Sequence, residues 1–283
     1  MARPHCEKRL HLVNAAAKMA LTMRSGTGGS CPGGSVSFRP DGSPAGDPLD
    51  GIELLIFDKD GTLIEFHLMW GGWVDGLANR LEAVSGLALR EGLYALLGVD
   101  LETGLVHAHG LLAATPMSRI RETVAAFVAD AGATRDRAEL AVDQAWDAPD
   151  PVALAWPVTD LGALLARLRS RVGLFAVATS DDRDPTVRTL VSLGIAGEFA
   201  DLACADDGFP NKPAPDPVLR LCERLGVPPD RTAVVGDSPA DLRMGRAAGV
   251  ARTIAVLTGV GDFATLEPLA DVVLPSIAEL APG

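Results

Sequence analysis

Apolar residues follow two different rhythms along this chain. Between residues 66 and 156 they recur at helical spacing, with Ile120, Val124, Phe127 and Ala131 on one face after a Thr115-Pro116 start. Ala138, Ala141, Val142, Ala145 and Trp146 form a second such stripe. Elsewhere, short, nearly continuous apolar runs alternate with helical stripes. The runs Ile52 to Phe57, Val172 to Ala178, Thr232 to Val235, Ile254 to Leu257 and Val272 to Leu274 predict buried strands. Leu161, Leu164, Leu165 and Leu168 make a helix face, and Asp184-Pro185, Asp216-Pro217 and Ser238-Pro239 open further helices, the first stopping at Gly194 and the second at Gly226. Helices alternating with strands predict an α/β fold with a doubly wound parallel (Rossmann-like) sheet core. That core takes residues 51–65 and 157–283, and residues 66–156 interrupt it as an inserted all-helical cap.

The first 50 residues do not share either rhythm. Residues 25–48 hold seven Gly, five Ser and four Pro with few large apolar side chains, too little to offset the entropy of ordering, so residues 1–50 read as a disordered extension and linker. Residues 1–24 carry Arg3, Lys8, Arg9, Lys18 and Arg24 against Glu7 alone, which fits an unstructured or mis-started extension or a targeting segment; Lys18 interrupts any secretory apolar stretch.

Charge narrows the partners. With 25 Lys and Arg against 37 Asp and Glu, the net charge is -12, unsuited to tracking a phosphate backbone, so nucleic acid is not expected as a partner. The most apolar region, Leu161 to Ala178, carries Arg167, Arg169 and Arg171, so no membrane span is expected. Four cysteines (Cys6, Cys31, Cys204 and Cys222) without CxxC spacing suit a reducing compartment, and the expected location is cytoplasmic.

The polar residues that follow the predicted strands carry the chemistry. Asp58 and Asp60 lie at the carboxyl end of the first strand, where a period of two puts both side chains on one side and turns Lys59 away. Ligands bind at that edge of open α/β sheets. Gly61-Thr62 allows a sharp turn that presents amides to an anion. A second acidic pair, Asp237 and Asp241, follows the Thr232 to Val235 strand. Four carboxylates at one edge repel by several kcal/mol per close pair at an effective dielectric near about 20. A cation is therefore required, and hard oxygen donors favour Mg²⁺. Lys212 is the nearest source of further positive charge, and the Thr179 hydroxyl, at the end of the Val172 to Ala178 strand, is a candidate phosphate ligand.

In order, Asp58-Lys59-Asp60-Gly61-Thr62-Leu63-Ile64, Thr179-Ser180, Lys212-Pro213 and Gly236-Asp237-Ser238-Pro239-Ala240-Asp241 resemble the four motifs of the haloacid dehalogenase superfamily. The likeness is strongest to its phosphoglycolate phosphatase-like branch, helped by Lys212 to Leu219, Gly245 with Ala248-Gly249, and Leu269 to Leu274. The resemblance implies a Mg²⁺-dependent phosphatase acting on a small phosphorylated metabolite through an aspartyl-phosphate. It assigns Asp58 as nucleophile, Asp60 as general acid and base, Thr179 as phosphoryl ligand and Lys212 as charge partner. It places the metal on the Asp58 carboxylate, the Asp60 backbone carbonyl and Asp237, with Asp241 orienting the shell. One departure falls after Thr179, where Ser180-Asp181-Asp182-Arg183 stands in place of the Asn or Lys frequent in the family. Two alternatives remain on the same scaffold: a sugar-phosphate mutase, and a non-catalytic regulatory or binding protein. In the cap, His67, Trp70 and Trp73 fit either a substrate roof or the cap's own packing, Gly71-Gly72 offers a hinge, and Arg119 and Arg121 fit either a ligand contact or a solvated face.

Overall fold

Residues Leu54–Phe57 are four consecutive apolar side chains, all buried, and in the computed structural model they form β1 in the middle of a parallel sheet. The structure describes residues 47–107, 110–114, 117–147, 150 and 152–281. The basic segment, all but the end of the Gly/Ser/Pro stretch, Cys6, Cys31 and the Thr115-Pro116 helix start lie outside the described residues. The chain divides into two units, one made of the residues up to Phe66 with those from Ala155 onward, the other of His67–Leu154.

The inserted segment is helical: α1 (Phe66–Ser85), α2 (Arg90–Leu97), α3 (Leu111–Ala114), α4 (Met117–Asp130) and α5 (Arg135–Ala145). Ile120, Val124 and Val128 bury the inner face of α4, so the expected stripe shifts by one position at its end: Phe127 is half-buried and Ala131 is exposed. Val128, four residues on from Val124, stays on that face, whereas Ala131 lies past the helix end at Asp130, where helical spacing no longer directs its side chain. Trp70 and Trp73 of α1 take part in this unit's packing. Trp73 is buried, stacks edge-on against Trp70 and Trp146, and donates from Nε1 to the Asp147 carbonyl at 2.8 Å. His67 is buried and accepts from the Val106 amide at 3.0 Å. Gly71 permits close packing, since a Cβ there would lie 2.7 Å from the Gly104 carbonyl oxygen. Arg119 pairs with Glu122 and Arg121 with Asp143 on exposed surface.

The other unit continues with α6 (Leu161–Arg169), β2 (Leu174–Ala178), α7 (Arg183–Ser192), β3 (Asp201–Ala203), α8 (Asp216–Leu225), β4 (Thr232–Gly236), α9 (Pro239–Ala248), β5 (Arg252–Val256), α10 (Phe263–Leu266) and β6 (Val272–Leu274). The sheet order is β3-β2-β1-β4-β5-β6 and every neighbouring pair is parallel. Alternation along the strands fills both faces. Leu55, Phe57, Phe175, Val177, Ala233 and Val235 pack with the α6 leucines, whereas Leu54, Ile56, Ala176, Ala178 and Val234 pack with Val218 and Leu221 of α8 and Met244 of α9. Each large apolar side chain buried this way contributes about 1.5–3 kcal/mol relative to exposure. Chain order runs outward from β1 on one side and from β4 on the other, so the switch point lies between the ends of these two strands.

Two sequence expectations need correction. The edge strand β3 was not expected, because three residues beginning with Asp201 make no apolar run; pairing with β2 supplies the order instead. The turn from Asp47 to Asp50, assigned by composition to the linker, is packed: Leu49 is buried in the core, and Asp47 accepts from the Leu49 amide at 3.0 Å and pairs with Arg171. A single leucine among polar residues gives composition nothing to detect. No helix among the described residues is long and apolar enough to cross a membrane.

Glu65, where the chain leaves this unit, is 7% exposed, and its Oε2 has no hydrogen-bond partner among the described residues. Burial raises its pKa from 4.5 to about 7. The unfolded chain ionises Glu65 near the ordinary value while the folded state holds it protonated, so stability is lost as pH rises from about 4.5 to about 7. Glu65→Gln is expected to remove this loss and stabilise the protein at pH 8 by on the order of 1–2 kcal/mol, with no gain at pH 4. Thermal unfolding at the two pH values checks this, and an equal shift at both contradicts it.

Candidate active site

The loops that leave β1, β4 and β5 meet around a cluster of acidic side chains at the carboxyl edge of the sheet. Asp58 directly follows β1, and its amide donates to the Val235 carbonyl of β4 at 2.9 Å, so sheet pairing extends to the residue itself. Gly61 then turns the chain at φ 84°, a conformation that glycine adopts without strain. Its amide donates to the Ile64 carbonyl at 2.7 Å, and its carbonyl accepts from the Thr258 hydroxyl.

Asp237 follows β4. Its Oδ2 accepts from the Val260 amide at 2.8 Å, and its carbonyl accepts from the Gly261 amide at 3.0 Å. The loop after β5 thus wraps the carboxylate. It can do so only with glycine, since a Cβ on Gly259 would lie 1.9 Å from Asp237 Oδ2 and one on Gly61 2.5 Å from it. Ser238 caps α9 with Asp241 in a capping box: the Asp241 Oδ2 accepts from the Ser238 amide at 3.0 Å and from its hydroxyl at 2.6 Å. That leaves Asp241 Oδ1 facing Lys212.

Lys212 joins the two halves of the site, donating to Asp58 Oδ1 at 2.5 Å and to Asp241 Oδ1 at 2.6 Å. Asp58, Asp237 and Asp241 are all buried, and one carboxylate oxygen from each lies within 4.8 Å of the other two. Burial raises the Asp58 pKa to about 7; Lys212 opposes the rise, and Asp241 and Asp60 add to it. Burial, then Asp58 and Asp241, raise Asp237 well above the carboxylate range. Burial works against the Lys212 charge, but Asp241 and Asp58 outweigh it and hold the lysine above its ordinary value. Three carboxylates against one ammonium leave this cluster short of positive charge. The donor set, three buried aspartates that bring hard carboxylate oxygens within 4.8 Å of one another, fits a divalent cation such as Mg²⁺.

Thr179 follows β2. It is buried, its amide donates to the Ala203 carbonyl at 2.9 Å, and its hydroxyl accepts from the Asp181 amide at 3.1 Å, leaving the hydroxyl proton free to be donated. Asp60 differs from expectation. Its carboxylate is not one of the three clustered acids, and Lys59, which strand alternation turns away, reaches it: Lys59 Nζ donates to both Asp60 oxygens at 2.7 Å and pairs with Asp181 at 2.9 Å. Strand geometry ends at Phe57, so the period of two does not apply across Asp58 to Asp60, and the four-carbon lysine stem curls back. Burial raises the Asp60 pKa, and Lys59 opposes the rise.

Lys59, Asp181 and the Thr258–Gly261 loop escaped the sequence reading. For the loop a signal exists: Thr258-Gly259-Val260-Gly261 is a glycine-rich turn just past the carboxyl end of a parallel strand.

A parallel Rossmann-like sheet that brings an aspartate, a buried lysine and an acidic pair together at its switch point places this protein among the α/β folds whose site lies at the carboxyl ends of the strands. The chain belongs to the haloacid dehalogenase-like hydrolase family, whose model matches residues 52–249. It is 35% identical over 196 residues to a phosphoglycolate phosphatase of Rhodospirillum rubrum, covering 69% of this chain and 76% of that protein. It is 32% identical over 108 residues to a phosphoglycolate phosphatase of Aquifex aeolicus, covering 38% of this chain and 50% of that one. A subfamily IA hydrolase structure of the same superfamily from Geobacter sulfurreducens aligns with 81% of this chain and 95% of its own at TM-score 0.57 and 22% identity, a likeness of fold. With this family and these relatives, the chain is a phosphoric monoester hydrolase.

Proposed function

We propose that the protein is a cytoplasmic, Mg²⁺-dependent phosphatase that hydrolyses a small phosphomonoester, of the phosphoglycolate or sugar-phosphate kind, through an aspartyl-phosphate on Asp58. The observation that carries this reading is the pairing of Lys212 with both Asp58 and Asp241 beside Asp237, which gives one carboxylate a fixed orientation and a partly neutralised setting. Asp58 Oδ1 is engaged by Lys212, and the other oxygen is left to attack phosphorus. Asp60 protonates the leaving oxygen as the P–O bond breaks, then takes a proton from the water that cleaves the acyl phosphate. Thr179 donates its hydroxyl proton to a phosphoryl oxygen, and backbone amides near Lys59 and Asp60 complete the cradle. Asp58, the Asp60 carbonyl and Asp237 would hold Mg²⁺, with Asp241 orienting the shell; the ion supplies charge stabilisation at the phosphoryl oxygens. The two described cysteines, Cys204 and Cys222, are free thiols, which suits a reducing compartment. The test is a panel of phosphorylated small metabolites incubated with the protein and Mg²⁺. Phosphate release from carboxylate- or sugar-bearing monoesters is expected, and no release from any member overturns the reading.

A further inference from the structure

Lys59 is 1% exposed, yet the acidic cluster does not use its charge, because Lys212 serves Asp58 and Asp241. A buried ammonium costs more than an apolar side chain of similar length unless it is fully paired. Its contacts pair it: both oxygens of Asp60 at 2.7 Å and Asp181 Oδ2 at 2.9 Å. Asp181 is itself anchored at both backbone groups, its amide donating to Thr179 Oγ1 at 3.1 Å and its carbonyl accepting from the Ala205 amide at 2.9 Å. A chain of contacts therefore runs from the loop after β2, through Asp181 and Lys59, to the Asp60 carboxylate. Two bonds to one ammonium set the plane of that carboxylate, and each oxygen keeps a lone pair free for another proton.

We propose that Lys59 and Asp181 are positioning residues for the acid–base step: Asp181 holds the Lys59 ammonium, and Lys59 holds the Asp60 carboxylate in the orientation from which it exchanges a proton with substrate oxygen and water. The inference rests on the assignment of Asp60 as the acid–base group. In the step, the proton passes from Asp60 to the leaving oxygen while the Asp58–phosphorus bond forms and the ester P–O bond breaks. Lys59 keeps all three of its protons.

The test compares first-turnover rates on an alkyl phosphomonoester and on p-nitrophenyl phosphate, whose leaving group departs without a proton. Lys59→Met is expected to slow the alkyl ester by about 30-fold or more and the aryl ester by less than about threefold, with KM nearly unchanged. Lys59→Arg, which keeps the charge and grips a carboxylate with two bonds, is expected to retain activity within about fivefold. If Lys59→Met does not fold, Asp181→Asn decides, since that side chain is 40% exposed and the change is isosteric; a selective loss of about fivefold on the alkyl ester is expected. Asp60→Asn separates the two claims. If it shows the alkyl-selective loss while the Lys59 and Asp181 variants lose both substrates equally or neither, the positioning role is overturned and the acid–base assignment stands. If Asp60→Asn shows no selectivity, the assignment falls and the positioning role with it.

Discussion

Replacing Asp58 with Asn is expected to lower kcat by at least about 10³-fold and leave the fold intact. The amide matches the carboxylate in volume but has no oxygen nucleophilic enough to attack phosphorus, and it is a weaker ligand for a divalent cation. The fold should survive for an electrostatic reason. Burial already pushes the Asp58 carboxyl up to about 7, and Asp241 and Asp60 push in the same direction, so a neutral group here relieves repulsion. Lys212 can still donate to the amide oxygen that replaces Asp58 Oδ1, and it keeps Asp241 at 2.6 Å. Thermal unfolding of the variant should therefore match or exceed that of the wild type. Mass spectrometry of rapidly quenched wild-type enzyme should find one added phosphoryl group on the peptide holding Asp58, absent from the variant. Retained phosphatase activity in the variant would falsify the nucleophile assignment.

Chelation is expected to silence the enzyme, and Mg²⁺ to restore it. Asp58, Asp237 and Asp241 each place an oxygen within 4.8 Å of the others, with one ammonium bonded to two of them. Two like charges about 4 Å apart at an effective dielectric near 20 repel by about 4 kcal/mol. Lys212 offsets part of that, and a dication supplies the remainder. The readout independent of turnover is stability: a cation that binds only the folded chain stabilises by about 2.7 kcal/mol at 100 times its dissociation constant, so Tm should climb with Mg²⁺ and fall back with EDTA. Asp237→Asn should weaken this climb, because Asp237 is the clustered acid to which Lys212 does not donate. Activity that persists in EDTA with an unmoved Tm would contradict the charge argument.

Several elements are legible in the residue order alone. Four continuous apolar residues ending in Asp58, the Leu161 to Leu168 stripe, and the Pro and Gly punctuation of α8 all act locally, and the observed helices and strands start and stop near them. β3 was not legible, because a three-residue edge strand owes its order to a neighbour rather than to its own pattern. Trp73 and His67 show a different limit. Their residue types fitted either a ligand roof or a core, and only the Asp147 and Val106 contacts settle that they pack within their own unit.

The site divides in the same way. Asp58, Asp60, Asp237 and Asp241 could be picked out because each follows a recognisable strand or opens a helix, and backbone period and capping are short-range physics. Pairing of charges was beyond that reach. Lys212 meets Asp58 across 154 residues, Lys59 turns back to Asp60 and Asp181, and the Val260 amide closes on Asp237. Coulomb and hydrogen-bond energies depend on distances of a few ångströms, and those distances exist only after separate loops converge at one edge of the sheet. Residue order can therefore nominate the acids and bases of this protein, whereas the fold chooses which ammonium neutralises which carboxylate.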